Sequence, residues 1–69
     1  MTAREIRLKL GLSQREFSER YGVPLGTLRN WEQDRYEPDT VHRICLSMIC
    51  SYPKLVAVEV QYMREDGQL

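Results

Sequence analysis

The stretch L-S-Q-R-E-F-S-E-R-Y-G-V-P-L-G-T-L-R-N-W-E-Q-D-R-Y-E-P, from Leu12 to Pro38, decides how this chain folds. Ser13 followed by Glu16 makes a capping box, in which the hydroxyl accepts from a free first-turn amide and the carboxylate accepts from the cap residue's own amide. A helix therefore begins at about Gln14. Phe17 and Tyr21 lie four apart on one face of it, and Gly22 ends it because glycine takes a positive φ without steric cost. Val23 and Pro24 are all that separate this helix from the next. Proline's fixed φ suits a helix start, and Leu25, Leu28, Trp31 and Glu32 then recur at helical spacing.

Two short helices joined by about three residues containing Gly outline a helix-turn-helix over about residues 13–33. The run resembles the Cro and phage-repressor (XRE-type) family, with the pattern L-[ST]-Q-x-x-[LF]-A-x-x-x-G-[VI]-S-x-x-[TA]-[IL]-x-x-[WIY]-E-x-G-x-x-x-P. Leu12, Ser13, Gln14, Phe17, Gly22, Val23, Thr27, Leu28, Trp31, Glu32 and Pro38 match it. Ser18 replaces the usual Ala, Pro24 the usual capping Ser or Thr, and Asp34 the Gly that normally leaves the second helix. Asp tolerates the left-handed conformation better than most residues, so the exit can still form. The segment P-L-G-T-L-R-N-W-E is similar to small HigA-type antitoxins and to compact regulators of phages and mobile elements, including anti-CRISPR-associated repressors. The resemblance implies an all-α fold, a compact four- or five-helix bundle of the lambda-repressor-like DNA-binding kind.

Outward from the motif, Thr2 and Glu5 make another capping box and Gly11 ends a first helix. Ala3, Ile6 and Leu10 cover one face of it, and Arg4, Arg7 and Lys9 on the other read as a solvated face in preference to a direct DNA contact. Beyond the motif, D-R-Y-E-P-D is a polar turn and Asp39 caps a fourth helix. Val41, Ile44, Cys45, Met48, Ile49 and Tyr52 form its apolar stripe, expected to close the core under helices 1 to 3. Pro53 opens a last segment, K-L-V-A-V-E-V-Q-Y-M, that reads two ways. As a helix it sets Leu55, Val58 and Tyr62 on one side with Val56, Val60 and Met63 near the other; as a strand it alternates Val56, Val58, Val60 and Tyr62. The resemblance favours helix. Its apolar surplus assigns residues 53–64 to contact with a second copy or a protein partner, and residues 65–69 read as a frayed polar end.

Sixty-nine residues make one domain, 1–69, small enough that its core is marginal and a homodimer is the natural remedy. Ten basic and ten acidic residues cancel, so net charge makes no case for nucleic acid. No apolar run approaches the roughly 18 residues of a membrane span, and the polar N-terminus has no signal-peptide core, so a cytoplasmic protein is expected. A reducing compartment argues against a disulfide between Cys45 and Cys50. On a helix these two point about 140° apart and cannot converge with His42 on one ion, so no metal and no cofactor is expected. One His, no converging carboxylate pair and no Gly-rich phosphate loop leave nothing to carry catalysis, and the chain is read as no enzyme.

Function rests on what the second motif helix turns outward. With Leu28, Trp31 and Glu32 inward or sideways, Leu25, Gly26, Arg29, Asn30 and Gln33 form the opposite surface, and a helix of this width fits the major groove of B-DNA. Asn30 suits the N6/N7 edge of adenine, Arg29 a guanine or phosphate, and Leu25 and Gly26 a thymine methyl or close backbone approach. Gln14 matches the family residue that holds a phosphate, with Arg15, Thr27, Arg35 and Tyr36 as further backbone contacts. The expected function is a sequence-specific transcriptional regulator, a dimeric repressor that binds an inverted-repeat operator in double-stranded DNA and autoregulates its operon. The alternative is an antitoxin whose main role is binding and neutralising a toxin.

Overall fold

Both capping boxes close as the sequence demands. The Thr2 hydroxyl accepts from the Glu5 amide while the Glu5 carboxylate accepts from the Thr2 amide, and Ser13 and Glu16 repeat the arrangement. These bonds favour the ionised form, so both carboxyls are held below the ordinary glutamate value. The computed structural model describes residues 1–69 as five helices: α1 Ala3–Lys9, α2 Gln14–Tyr21, α3 Leu25–Glu32, α4 Thr40–Ser51 and α5 Pro53–Glu65. There is no strand, and the segment after Pro53 is helical. Asp39 caps α4 by accepting from the His42 amide at 2.9 Å.

Helix exits follow the same local logic. At α1, Gly11 takes φ 73°, and the Gly11 and Leu12 amides return to the Leu8 and Arg7 carbonyls at 3.0 and 3.2 Å. At α3, Asp34 does this work at φ 57°, with the Asp34 amide on Trp31 at 3.3 Å and the Arg35 amide on Asn30 at 3.0 Å. Both are Schellman closures, the second built without glycine. Ser18 does more than stay small, because its hydroxyl donates to the Val23 carbonyl at 2.6 Å and pins the turn between α2 and α3.

The core gathers Ala3 and Ile6 of α1, Leu12, Phe17 and Tyr21 of the α2 region, Leu28 of α3, and Leu46 and Ile49 of α4. Phe17 and Leu28 are sealed completely. Phe17 and Tyr21 meet with ring centroids 5.0 Å apart and planes tilted by 53°, and the Tyr21 hydroxyl donates to the Pro53 carbonyl at 3.2 Å, which fixes the start of α5 against α2. In α5, Val60 is buried and Val56, Ala57 and Met63 are half-buried, while Leu55, Val58 and Tyr62 face out.

The expected role of α4's stripe needs correction. Of Val41, Ile44, Cys45, Met48, Ile49 and Tyr52, only Ile49 is buried; the inward face is Leu46, Ile49 and the half-buried Cys50. Two apolar faces run along this helix, and helical periodicity cannot say which one meets α1. The chain then turns by 120° into α5, and no single helix is long and apolar enough to cross a membrane.

Candidate nucleic-acid interface

An ion pair sets α3 in place. Arg7 donates from Nε and Nη2 to the two carboxylate oxygens of Glu32 at 2.8 and 2.7 Å, with side chains only 11% and 4% exposed. Its remaining nitrogen, Nη1, donates to the Leu12 carbonyl at 2.9 Å. Gln14 adds a fourth link, from Nε2 to Glu32 at 3.3 Å. The Arg7 bond, more than any other influence, holds the Glu32 carboxyl below its ordinary value, and Glu32 raises Arg7 in turn. No buried side-chain polar atom is left without a partner, as an ion pair away from water requires. This fork ties α1 and the start of α2 to the end of α3.

Arg7 is therefore not part of a solvated face. It lies four residues after Ala3 and three before Leu10, so it shares their inward side, and that spacing was the signal for it.

Fastened in this way, α3 turns one side outward. Leu25 and Arg29 lie four apart, as do Gly26 and Asn30, and Gln33 completes the surface. Gly26, Arg29 and Gln33 are exposed, and Leu25 and Asn30 are half-buried. A Cβ built at Gly26 would meet nothing within 4 Å. Thr27 is half-buried on the flank. The link to Glu32 brings Gln14, half-buried at the first turn of α2, to the end of α3, while Arg15 beside it is exposed. Arg35 and Tyr36 follow the α3 exit, both exposed and pulled back toward the helix by the Arg35 amide on Asn30.

Charge sharpens this surface. The ion pairs of the molecule are Arg7 with Glu32, His42 with Asp39 and Arg43 with Glu37. Arg15, Arg29 and Arg35 take part in none, as is also true of Arg4, Lys9, Arg20, Lys54 and Arg64. It is the place of the first three on or beside α3 and the start of α2, and not their freedom alone, that offers their charges to an anion at this surface. Trp31 does not join them. It is half-buried against the core and meets the His42 ring edge-on at 5.3 Å, bracing α3 on α4. No three His, Cys, Asp or Glu side chains stand close enough to hold a metal ion, and Cys45 and Cys50 are free thiols. A hollow of about 900 Å³ between α1, α3 and α4 contains no histidine, and its one shielded carboxylate, Glu32, is already paired.

The chain matches a family model described as helix-turn-helix over residues 4–41. It is also similar to a solved structure, the crystal structure of an XRE-family-like helix-turn-helix protein from Agrobacterium tumefaciens. The two are 48% identical, with a TM-score of 0.83 over 87% of this chain and 98% of that one. No curated protein matches the chain.

Proposed function

The chain belongs to the XRE helix-turn-helix family of DNA-binding regulators, and from that premise we propose a sequence-specific, dimeric repressor that binds an inverted-repeat operator and autoregulates its own operon. The observation that carries the reading is the outward side of α3, where exposed Arg29 and half-buried Asn30 follow the bare backbone of Gly26 at helical spacing, with exposed Arg15 on α2 and Arg35 after the α3 exit also outside any ion pair. Leu25, Gly26, Arg29 and Asn30 read base edges in the major groove. Gln14, Arg15, Thr27, Arg35 and Tyr36 hold the phosphates on either side and set the helix's register. A twofold dimer doubles the short stretch one α3 can read, with half-site centres about 10 bp apart or a multiple of a helical turn.

A second reading, an antitoxin that neutralises a protein partner, is supported by Leu55, Val58 and Tyr62 standing more than half exposed on α5. A toxin-like neighbouring gene would favour it, and a phage or anti-CRISPR gene would favour the dedicated repressor. Titration of the DNA upstream of the chain's own gene, against a shuffled duplex at fixed salt, tests the repressor directly. The upstream DNA should bind about 10³-fold more tightly or better. Equal affinity for both duplexes would remove the operator reading.

A further inference from the structure

One polar link crosses the helix-turn-helix from its first residue to its last. Gln14, at the first turn of α2, donates from Nε2 to Glu32 Oε1, on the final residue of α3, at 3.3 Å. Leu25 and Gly26, with which α3 begins, have no polar side-chain atom to offer in its place.

The acceptor in this link is a carboxylate that has no proton to give. Arg7 donates to both of its oxygens, at 2.8 and 2.7 Å, and that bond above all holds the carboxyl below its ordinary value, hence ionised. An ionised carboxylate only accepts, so the two ends of the Gln14 amide are not equivalent beside it. With Nε2 toward Glu32 the contact is attractive. With the carbonyl end there, two acceptors would face each other beside a side chain only 4% exposed. Glu32 therefore selects one of the two amide orientations. One N–H goes to the carboxylate, which leaves the second N–H as the donor that a phosphate oxygen needs.

Holding the amide before DNA arrives also favours binding. Immobilising a rotamer-rich side chain in a complex weakens it by roughly two- to tenfold, and a glutamine already tied down avoids that loss. Arg15 and Arg35, exposed and in no ion pair, have no such tie.

We infer that Glu32 is a positioning residue for DNA binding, which through its bond to Nε2 fixes the Gln14 amide with one N–H left for the phosphate. The inference rests on the reading of Gln14 as a phosphate contact and adds the residue that aims it. Arg7 acts one step further back, by holding Glu32.

A double-mutant cycle on DNA affinity tests this, run in the parent and in an Arg7→Met, Glu32→Leu chain first shown to be folded by circular dichroism. In the parent, Gln14→Ala should weaken operator and random duplex alike by about tenfold, for one hydrogen bond to a charged group. In the apolar-pair chain the same substitution should weaken both by about threefold or less, because nothing aims the amide there. Asn30→Ala, outside the network, should weaken operator binding by one factor in both chains. Equal factors for Gln14→Ala in the two chains overturn the inference and leave the phosphate contact standing. No effect of Gln14→Ala in the parent overturns the phosphate contact and the inference with it. Where the apolar-pair chain does not fold, or changes the Asn30→Ala factor, side-chain exchange in the DNA-free parent decides. The Gln14 amide protons should exchange with solvent about tenfold more slowly than those of exposed Gln33 and Gln68. Equal exchange rates would mean that Glu32 does not hold the amide, and would overturn the inference.

Discussion

Helices α1 to α3 and the pair α4–α5 solve the same problem to different degrees. In the first group, two capping boxes, the Arg7–Glu32 fork and the sealed Phe17 and Leu28 leave few large apolar side chains in water. The second buries Leu46, Ile49 and Val60 but leaves Val41, Ile44, Met48, Tyr52, Leu55, Val58 and Tyr62 more than half exposed. Moreover, α5 starts on Tyr52 and Pro53 with no side-chain cap. The element that presents the outward side of α3 is thus held by contacts within the chain, so its geometry does not wait on a partner. The surface left unfinished lies on the two C-terminal helices, where an apolar partner would complete it.

The largest effect should come from breaking the closed half. Glu32→Ala leaves Arg7 enclosed without its carboxylate, which costs about 3–5 kcal/mol, comparable with the whole stability of a domain this small. Circular dichroism should show the variant largely unfolded at 25 °C. Replacing both partners by apolar residues, Arg7→Met with Glu32→Leu, should recover most of that loss, because no lone charge remains. The pair also sets an acid limit. A carboxyl held below its ordinary value contributes stability that is present above the unfolded-state pKa, about 4.5, and is lost as pH falls through the lower folded value. The parent should therefore lose stability on acidification below about pH 4.5, and the double variant should lose less. Met48→Ala, on the exposed stripe, should leave the unfolding of the isolated monomer within about 1 kcal/mol of the parent.

The same contrast explains what the sequence made legible. Caps, the Gly22 stop and the Phe17 and Leu28 positions each admit one answer, so α1 to α3 could be placed to within a residue. Arg7 was legible too, from its spacing to Ala3 and Leu10, but a charged residue is more readily placed in water than in a paired interior. In α4 the apolar stripe that the spacing favours is not the one that packs inward. Leu46, Ile49 and Cys50 compete with Val41, Ile44 and Met48, and only three-dimensional packing selects between them. In α5 the β-branched Val56, Val58 and Val60 fit a strand as well as a helix, and contact with α2 and α4 decides. The outward residues of α3 follow from its inward ones, whereas the freedom of Arg15, Arg29 and Arg35 from ion pairs needed coordinates.

Within the closed half, two substitutions separate reading from holding. Asn30→Ala should cost about 1–3 kcal/mol on the operator and almost nothing on unrelated DNA, since it removes a base-edge pair and no charge. Arg35→Ala should weaken operator and random duplex alike and reduce the salt slope by about one per subunit, for one counterion fewer released. Titrations at several salt concentrations distinguish the two patterns. An Asn30→Ala chain that weakens on both duplexes equally would move base reading to Leu25, Gly26 and Arg29.

The smallest effect is expected at Gly26, and its value lies in its sign. A glycine inside a helix costs about 1 kcal/mol relative to alanine, because its backbone loses more freedom on folding. At Gly26 nothing in the chain requires that cost, as an added Cβ would meet no atom within 4 Å. Gly26→Ala should therefore raise the melting temperature, by about 4–8 °C per kcal/mol in a domain of this size. If the bare backbone is what lets DNA come close to the start of α3, the added methyl should stand in the duplex's way and weaken operator binding. Stability and affinity would then move in opposite directions, which a change in folding alone cannot produce. A Gly26→Ala chain that melts higher and binds its operator as tightly as the parent would show that the glycine serves no close approach. Reading would then rest on the side chains of Leu25, Arg29 and Asn30.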